Sequence, residues 1–415
     1  MTAHPSARSD ALVIGGGPAG ATVALQLARR GHRVTLVDHD PPHRTGRPLP
    51  IAQLLNPRAV GALGMLELDV AGHRVEHVRV SAGHASTSVS WPSHRRLPSH
   101  GLVVAGVGAS IRRAAEEAGA IVLAEHRAID PIIERGFVRG ANVVSPDLVE
   151  FEARADFTVI ADGANSQFGR ALGTFREPTW PYGLAHHGSF PSDLSGSPEI
   201  ELVLDLRDRS GTPIVGHGWM LPAGDGTVTV GVVMMSTSPS FSVVNPANLF
   251  QRVVDAHRER WAITGDPVAT PRGRRIPVGT SVGPSAGPTY LLVGDAAGAA
   301  NPLSRTGIEA AIETGIAAGA VLDSAIGSGD AADLQQYPRR LDERYGSYYK
   351  VARLATRLLG QPTVARRLEH LVAGRRSFAD GYVRITTDAL RGRRAGPPET
   401  LFRIGRAISA IAPDS

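Results

Sequence analysis

Read for its apolar spacing, the chain opens with a run of strand type, Leu12–Val13–Ile14. That run meets three glycines and then an alanine-rich segment of helical spacing, residues 21–30. A second apolar run over 34–37 ends in Asp38, so strand, helix and strand follow one another as in a βαβ unit. The spacing then predicts a helix over 56–66, strands over 75–80 and 86–91, and a helix ending near Gly119. Short strands with turns at Gly136 and Pro146–Asp147 are expected over 121–153, and the apolar run 157–160 leads into Ala161–Asp162–Gly163. Strands separated by Gly, Pro, Ser and Asp fill 182–235, and a helix covers 246–261. A strand over 290–293 runs into Gly294–Asp295, a small-residue helix spans about 307–325, and the remainder is helical and arginine-rich.

With 415 residues, 42% of them hydrophobic, the chain can bury the core of two or three domains. It has no cysteine, which excludes disulfides, thiolate metal sites and cysteine redox chemistry. Lys350 is the only lysine, so lysine-borne catalysis is confined to that position. The net charge of +5 is modest and no aromatic-interleaved basic patch accompanies it, so no nucleic-acid partner is expected. Residues 1–10 are polar and no stretch approaches a membrane span, so a cytoplasmic protein is expected. His186–His187 lack ligand spacing with a carboxylate, and no metal is assigned.

The glycines Gly15, Gly17 and Gly20 form a G-x-G-x-x-G pattern placed between a strand and a helix. The first allows a tight turn, the second lets a pyrophosphate approach the backbone, and the third lets the helix pack on the strand. Pro18 and Ala19 open the helix whose free amides favour phosphate, and Asp38 is placed to bind ribose hydroxyls. A second glycine-bearing stretch, 102–110, is not expected to bind a nucleotide: Ile111 replaces the third glycine and no ribose acid follows. Two further strands deliver carboxylates beside glycine, Asp162–Gly163 and Gly294–Asp295. Ligands in such folds gather at the carboxyl ends of strands, so all three loops are expected to share one ligand. Past Pro302, Gly307 and Ile308 begin the long helix, where amides and dipole favour negative charge.

The start Gly15–Gly16–Gly17–Pro18–Ala19–Gly20 is similar to those of flavoproteins and points to FAD. The three loops together resemble the glutathione-reductase-like FAD fold of the aromatic hydroxylases and geranylgeranyl reductases. Gly294–Asp295–Ala296–Ala297–Gly298 with Asn301–Pro302–Leu303, and Gly216–His217–Gly218–Trp219–Met220–Leu221–Pro222, resemble the geranylgeranyl reductase family, menaquinone reductases included. Hydroxylases usually carry histidine where this chain has Gly298. Asn56–Pro57–Arg58–Ala59–Val60 matches a helix start whose arginine, here Arg58, usually touches FAD. Flavin halogenases share part of the pocket motif but need a lysine in the first third of the chain, which excludes them.

The resemblance implies an α/β protein: a Rossmann FAD-binding domain (1–72, 97–175 and 272–330), a mostly antiparallel β-sheet substrate domain (73–96 and 176–271) and a helical C-terminal region (331–415). Four positions depart from the family: Pro50–Ile51–Ala52–Gln53–Leu54 replaces a cysteine-bearing segment, Arg305–Thr306–Gly307 replaces Gly-Glu-Gly, His217 replaces tyrosine or phenylalanine, and Val104 replaces an arginine. His217 is read as a proton donor or a pocket wall, Trp219 as an apolar wall, and Arg305 as a partner for an anionic substrate or reduced flavin. The implied activity is FAD-dependent reduction of carbon–carbon double bonds in an apolar isoprenoid or polyketide-like substrate, with NAD(P)H a candidate transient electron donor. Alternatives are an NAD(P)H- and oxygen-dependent group A flavin monooxygenase, or a non-redox cyclase that uses FAD as a scaffold. Leu401, Ile404, Ala407, Ile408 and Ile411 share one helical face, expected to pack on the body of the protein or to give peripheral membrane contact.

Overall fold

The computed structural model describes residues 8–40, 51–92, 97–390 and 396–411; residues 1–7 and most of the proline-rich stretch, 41–50, lie outside the described residues. Strand Ser9–Ile14 is the centre of the first layer, flanked in parallel by Val34–Asp38 and by the C-terminal part of Glu150–Ile160. Ile121–Ala124 extends this layer on one side, and Tyr290–Leu292 pairs parallel with Glu150–Ile160 on the other. A parallel layer must be covered on both faces, and its side chains are accordingly mostly apolar: Ala11, Val13, Val34 and Leu36 are fully buried. Helices Pro18–Ala28, Val107–Glu117 and Ile308–Ser328 cover one face. The other receives an antiparallel ribbon, Arg127–Glu134 with Phe137–Val144, which packs Val138, Ala141 and Val143 on Leu12, Ile14 and Val37.

The second sheet runs Arg272–Pro277, Tyr182–Pro191, Thr227–Met235, Gly216–Pro222, Glu199–Val203, His77–Ala82, Ala85–Ser90, antiparallel except for the pairing of Glu199–Val203 with His77–Ala82. Its period-2 alternation sorts side chains cleanly. Val228, Val230 and Val232 face helix Pro246–His257, while Val233 looks the other way with Ala185 and Ile276. Arg272–Pro277 is an edge strand of this sheet, so the chain returns to the first layer only after Pro277, later than the expected boundary at 272.

Helix Ile308–Ser328 is long and apolar enough to cross a membrane by length and composition. Here it is a core helix, with Ala310, Ile312, Ala318 and Leu322 fully buried. The C-terminal helix Pro397–Ile411 packs differently from expectation. Phe402 stacks on Tyr348 at 5.9 Å and Gly405 lies beside Val351, while Leu401, Ile404 and Ile408 remain 62%, 53% and 49% exposed. The anchoring aromatic is one residue past Leu401, which turns the helix about 100° from the anticipated face.

Candidate active site

Three adjacent strands of the first layer end at the same edge and release three loops that touch. The Gly15 amide donates to Val37 at 2.8 Å, Ala161 donates to Ile14 at 2.8 Å, and Val293 donates to Ile160 at 3.0 Å. Gly15 has φ 102°, and any side chain there would run into the Ala161 carbonyl. A side chain on Gly294 would meet Ala19, which ties the third loop to the first helix. Around these loops lies a cavity of about 360 Å³.

Of the residues expected to hold the cofactor, Gly17, Pro18, Ala19, Gly163, Asp295, Gly307 and Ile308 line this cavity. Gly15, Gly20 and Gly294 stand behind them as close-packing positions. Asp38 is buried at the end of its strand and accepts from Arg112, which comes from the helix after the second glycine-bearing stretch. That stretch therefore serves the first loop: Gly108 lies directly against Pro18. Asp162 accepts from the Phe168 amide at 3.0 Å through Oδ2, its Oδ1 has no partner, and burial raises its pKa. Asp295 is paired with Arg274. Pro302 is off the cavity, its carbonyl accepting from Thr356 at 3.3 Å.

Arg58 is also off the cavity. Its guanidinium donates to Glu313 and Asp388, both at 2.9 Å, and Arg344 bridges the same two carboxylates. Glu309, one turn before Glu313, accepts only from Asn56 in this group. Three carboxyls thus face two guanidiniums, and burial pushes Glu309 up to about 7 and Asp388 up to about 6. Arg58 fixes the long helix to the C-terminal region, a role that its position at a helix start did not reveal.

His217, Trp219 and Arg305 meet in the lining of the same cavity. The wall there is Val78, Trp91, Ile200, Leu202, Leu221 and Val233. Strand Gly216–Pro222 alternates, and its His217, Trp219 and Leu221 all point inward. The ring centres of His217 and Trp219 are 5.8 Å apart. Arg305 donates from Nη1 to His217 Nδ1 at 3.1 Å, and its charge also acts on the neighbouring Tyr382. With Nδ1 accepting, the imidazole is neutral and carries its proton on Nε2. Burial, reinforced by the Arg305 charge, holds the His217 pKa well below the usual histidine range. Of the two readings of His217, proton donor or pocket wall, the neutral imidazole suits the wall. Tyr382 also lines the cavity, a residue that no strand, motif or spacing announced, because it sits in the arginine-rich helical tail.

Residues 10–49 match the FAD dependent oxidoreductase (DAO) family. The chain is 35% identical over 361 residues to menaquinone reductase of Mycobacterium tuberculosis, a match that spans 85% of each chain. The chain belongs to the geranylgeranyl reductase and menaquinone reductase family of FAD-dependent oxidoreductases. It is also 26% identical over 360 residues to digeranylgeranylglycerophospholipid reductase 2 of Methanosphaera stadtmanae, covering 82% of this chain and 85% of that one. In fold it matches a geranylgeranyl bacteriochlorophyll reductase-like protein of Thermoplasma acidophilum, with TM-score 0.75 and 20% identity over 92% of this chain and 97% of that chain.

The geranylgeranyl reductase family's cofactor fits what the cavity offers. A side chain on Gly17 would meet nothing within 4 Å, leaving backbone open to a ligand at the helix start. The unpartnered Oδ1 of Asp162 is a buried acceptor next to Gly163, and the long helix begins at the cavity with Gly307 and Ile308. Against the family pattern, Val104 is a fully buried strand residue paired with Gln53, so it contributes packing where other members place an arginine.

Proposed function

We propose that this flavoprotein reduces a carbon–carbon double bond in an apolar substrate of isoprenoid or polyketide-like character. The observation that carries the reading is a single cavity running from the glycine-loop helix start to a wall of aliphatic and tryptophan side chains. When bound, FAD supplies the hydride chemistry, with NAD(P)H proposed as its transient electron donor. The chain's own residues orient, exclude water and deliver a proton. Val78, Ile200, Leu202, Trp219 and Leu221 keep the substrate dry, and the Ile308 helix start favours negative charge at the cofactor end. Tyr382 lines the cavity beside Arg305, and its O–H is the proton donor of this reading.

Reduction rather than oxygenation is supported by the related reductases and by Gly298. A side chain there would lie 2.6 Å from Ser281 Oγ, so the histidine usual in hydroxylases has no room. The test is anaerobic mixing of the reduced, FAD-loaded protein with polyenes. Substrate-dependent flavin reoxidation is expected. Its absence across isoprenoid and polyketide-like olefins rejects the proposal, and a product formed only with oxygen moves the protein to the monooxygenases.

A further inference from the structure

A substrate made only of hydrocarbon leaves Arg305 unaccounted for. The side chain is 8% exposed, and among the described residues no carboxylate pairs with it. Its Nη1 donates to a neutral histidine, the Tyr382 phenol is a neutral neighbour, and Nε has no partner at all. Arg112 and Arg384, equally buried, hold Asp38 and Asp380. A guanidinium stays protonated under these conditions, so the missing counter-charge has to be met by a ligand or left as a standing penalty.

The placement of this cation is imposed by the backbone. Arg305 has φ 58°, a left-handed conformation unusual for a residue with a side chain. Asn301 holds the loop in that shape. Its Oδ1 accepts from the amides of Leu303 at 2.8 Å and Ser304 at 3.2 Å, and its carbonyl accepts from the Arg305 amide at 2.9 Å. Its Nδ2 donates to the Thr386 carbonyl at 3.1 Å, which joins the loop to the helix that carries Tyr382. A strained backbone and an uncompensated charge therefore converge on one residue in the lining of the cavity, which His217, Trp219, Leu221 and Val233 also line.

We propose that the substrate is an apolar carboxylic acid, its carboxylate held by Arg305 with Tyr382 alongside, and its double bond conjugated to that carboxylate. The proposal rests on the reading that the cavity admits the molecule to be reduced. Conjugation makes the double bond an acceptor. Bound FAD, once reduced, would supply the hydride (two electrons and a hydrogen), which would add to the carbon distal to the carboxylate. The π pair shifts toward the proximal carbon and the carboxylate oxygens, where Arg305 offsets the added charge. The Tyr382 O–H protonates the proximal carbon, and the phenolate regains its proton from solvent. One C=C bond becomes one C–C bond with two new C–H bonds.

Binding is measured with the oxidised, FAD-loaded full chain, so that no turnover is needed. Octenoic, geranic and farnesoic acids are titrated against their own methyl esters at about pH 8, where the acids are ionised. Calorimetry and the flavin absorption band report the binding. At least one acid is expected to bind about 10-fold or more tightly than its ester. Arg305→Met is expected to abolish that preference with FAD content retained, and Arg305→Lys to keep part of it. Absence of any acid-selective pair in the wild-type protein overturns the proposal whether or not the variants fold. So does a preference that survives Arg305→Met, or an Arg305→Met variant that changes only the flavin midpoint potential, which would assign the cation to the cofactor. Acid-selective binding without reoxidation in the anaerobic test would instead sink the reductase reading and leave the carboxylate site standing.

Discussion

His217, Tyr382 and Arg305 show how a buried cation redistributes chemistry among its neighbours. Arg305 donates to His217 Nδ1, and burial with that nearby charge keeps the imidazole neutral across the physiological range. Tyr382 is raised above the usual tyrosine range by burial, with Arg305 opposing the shift, so it too is neutral and carries its proton. The single-turnover rate of substrate-driven flavin reoxidation is therefore expected to show no histidine ionisation between about pH 6 and 8. Tyr382→Phe is expected to lower that rate about 100-fold. An inflection near neutral pH that disappears in His217→Gln would return the proton to the histidine.

At the scale of elements, the start of the long helix carries a charge imbalance. Glu313 and Asp388 are matched by Arg58 and Arg344, which leaves Glu309, held by Asn56, as the carboxyl that keeps a proton. Its ordinary value is 4.5 and burial raises it to about 7 in the folded chain. Between those values the folded state holds a proton that the unfolded state has lost. Stability from this group is thus complete below about 4.5 and declines as pH rises to about 7. Glu309→Gln keeps the oxygen that accepts from Asn56 and removes the titration. The variant is expected to gain about 1–3 kcal/mol at pH 8 and to flatten the decline between pH 5 and 7, read by denaturant unfolding.

For the molecule as a whole, cofactor binding and folding share one interface between two helices. A side chain on Gly315 would lie 2.7 Å from both the Ala19 carbonyl and Thr22, and Ala19 lines the cavity. Gly315→Ala is expected to cost about 1–3 kcal/mol by forcing the long helix off the N-terminal helix. FAD in excess is expected to stabilise the wild-type protein, by about 2.7 kcal/mol at 100 times its Kd, and the variant by less at the same concentration. Melting curves with and without FAD check both; equal FAD stabilisation of the two proteins would separate the helix contact from the site.

Local features of the chain were enough to establish the βαβ start, the three glycine-bearing loops and their common edge. Strand periodicity and glycine placement are short-range properties, and apolar runs that end in Asp–Gly announce a strand leading into a ligand loop. The same regularity put His217 and Trp219 on one strand face, two residues apart. What only the tertiary structure decided is which groups face one another across long separations. Arg58 met Glu313 and Asp388 rather than the cavity, Asp38 met Arg112, the C-terminal helix packed through Phe402, and Tyr382 reached Arg305. Charge pairing and burial depend on neighbours tens to hundreds of residues away in the chain. No periodicity along the chain encodes them, and here they determine which side chains can hold a proton or a charge at the site.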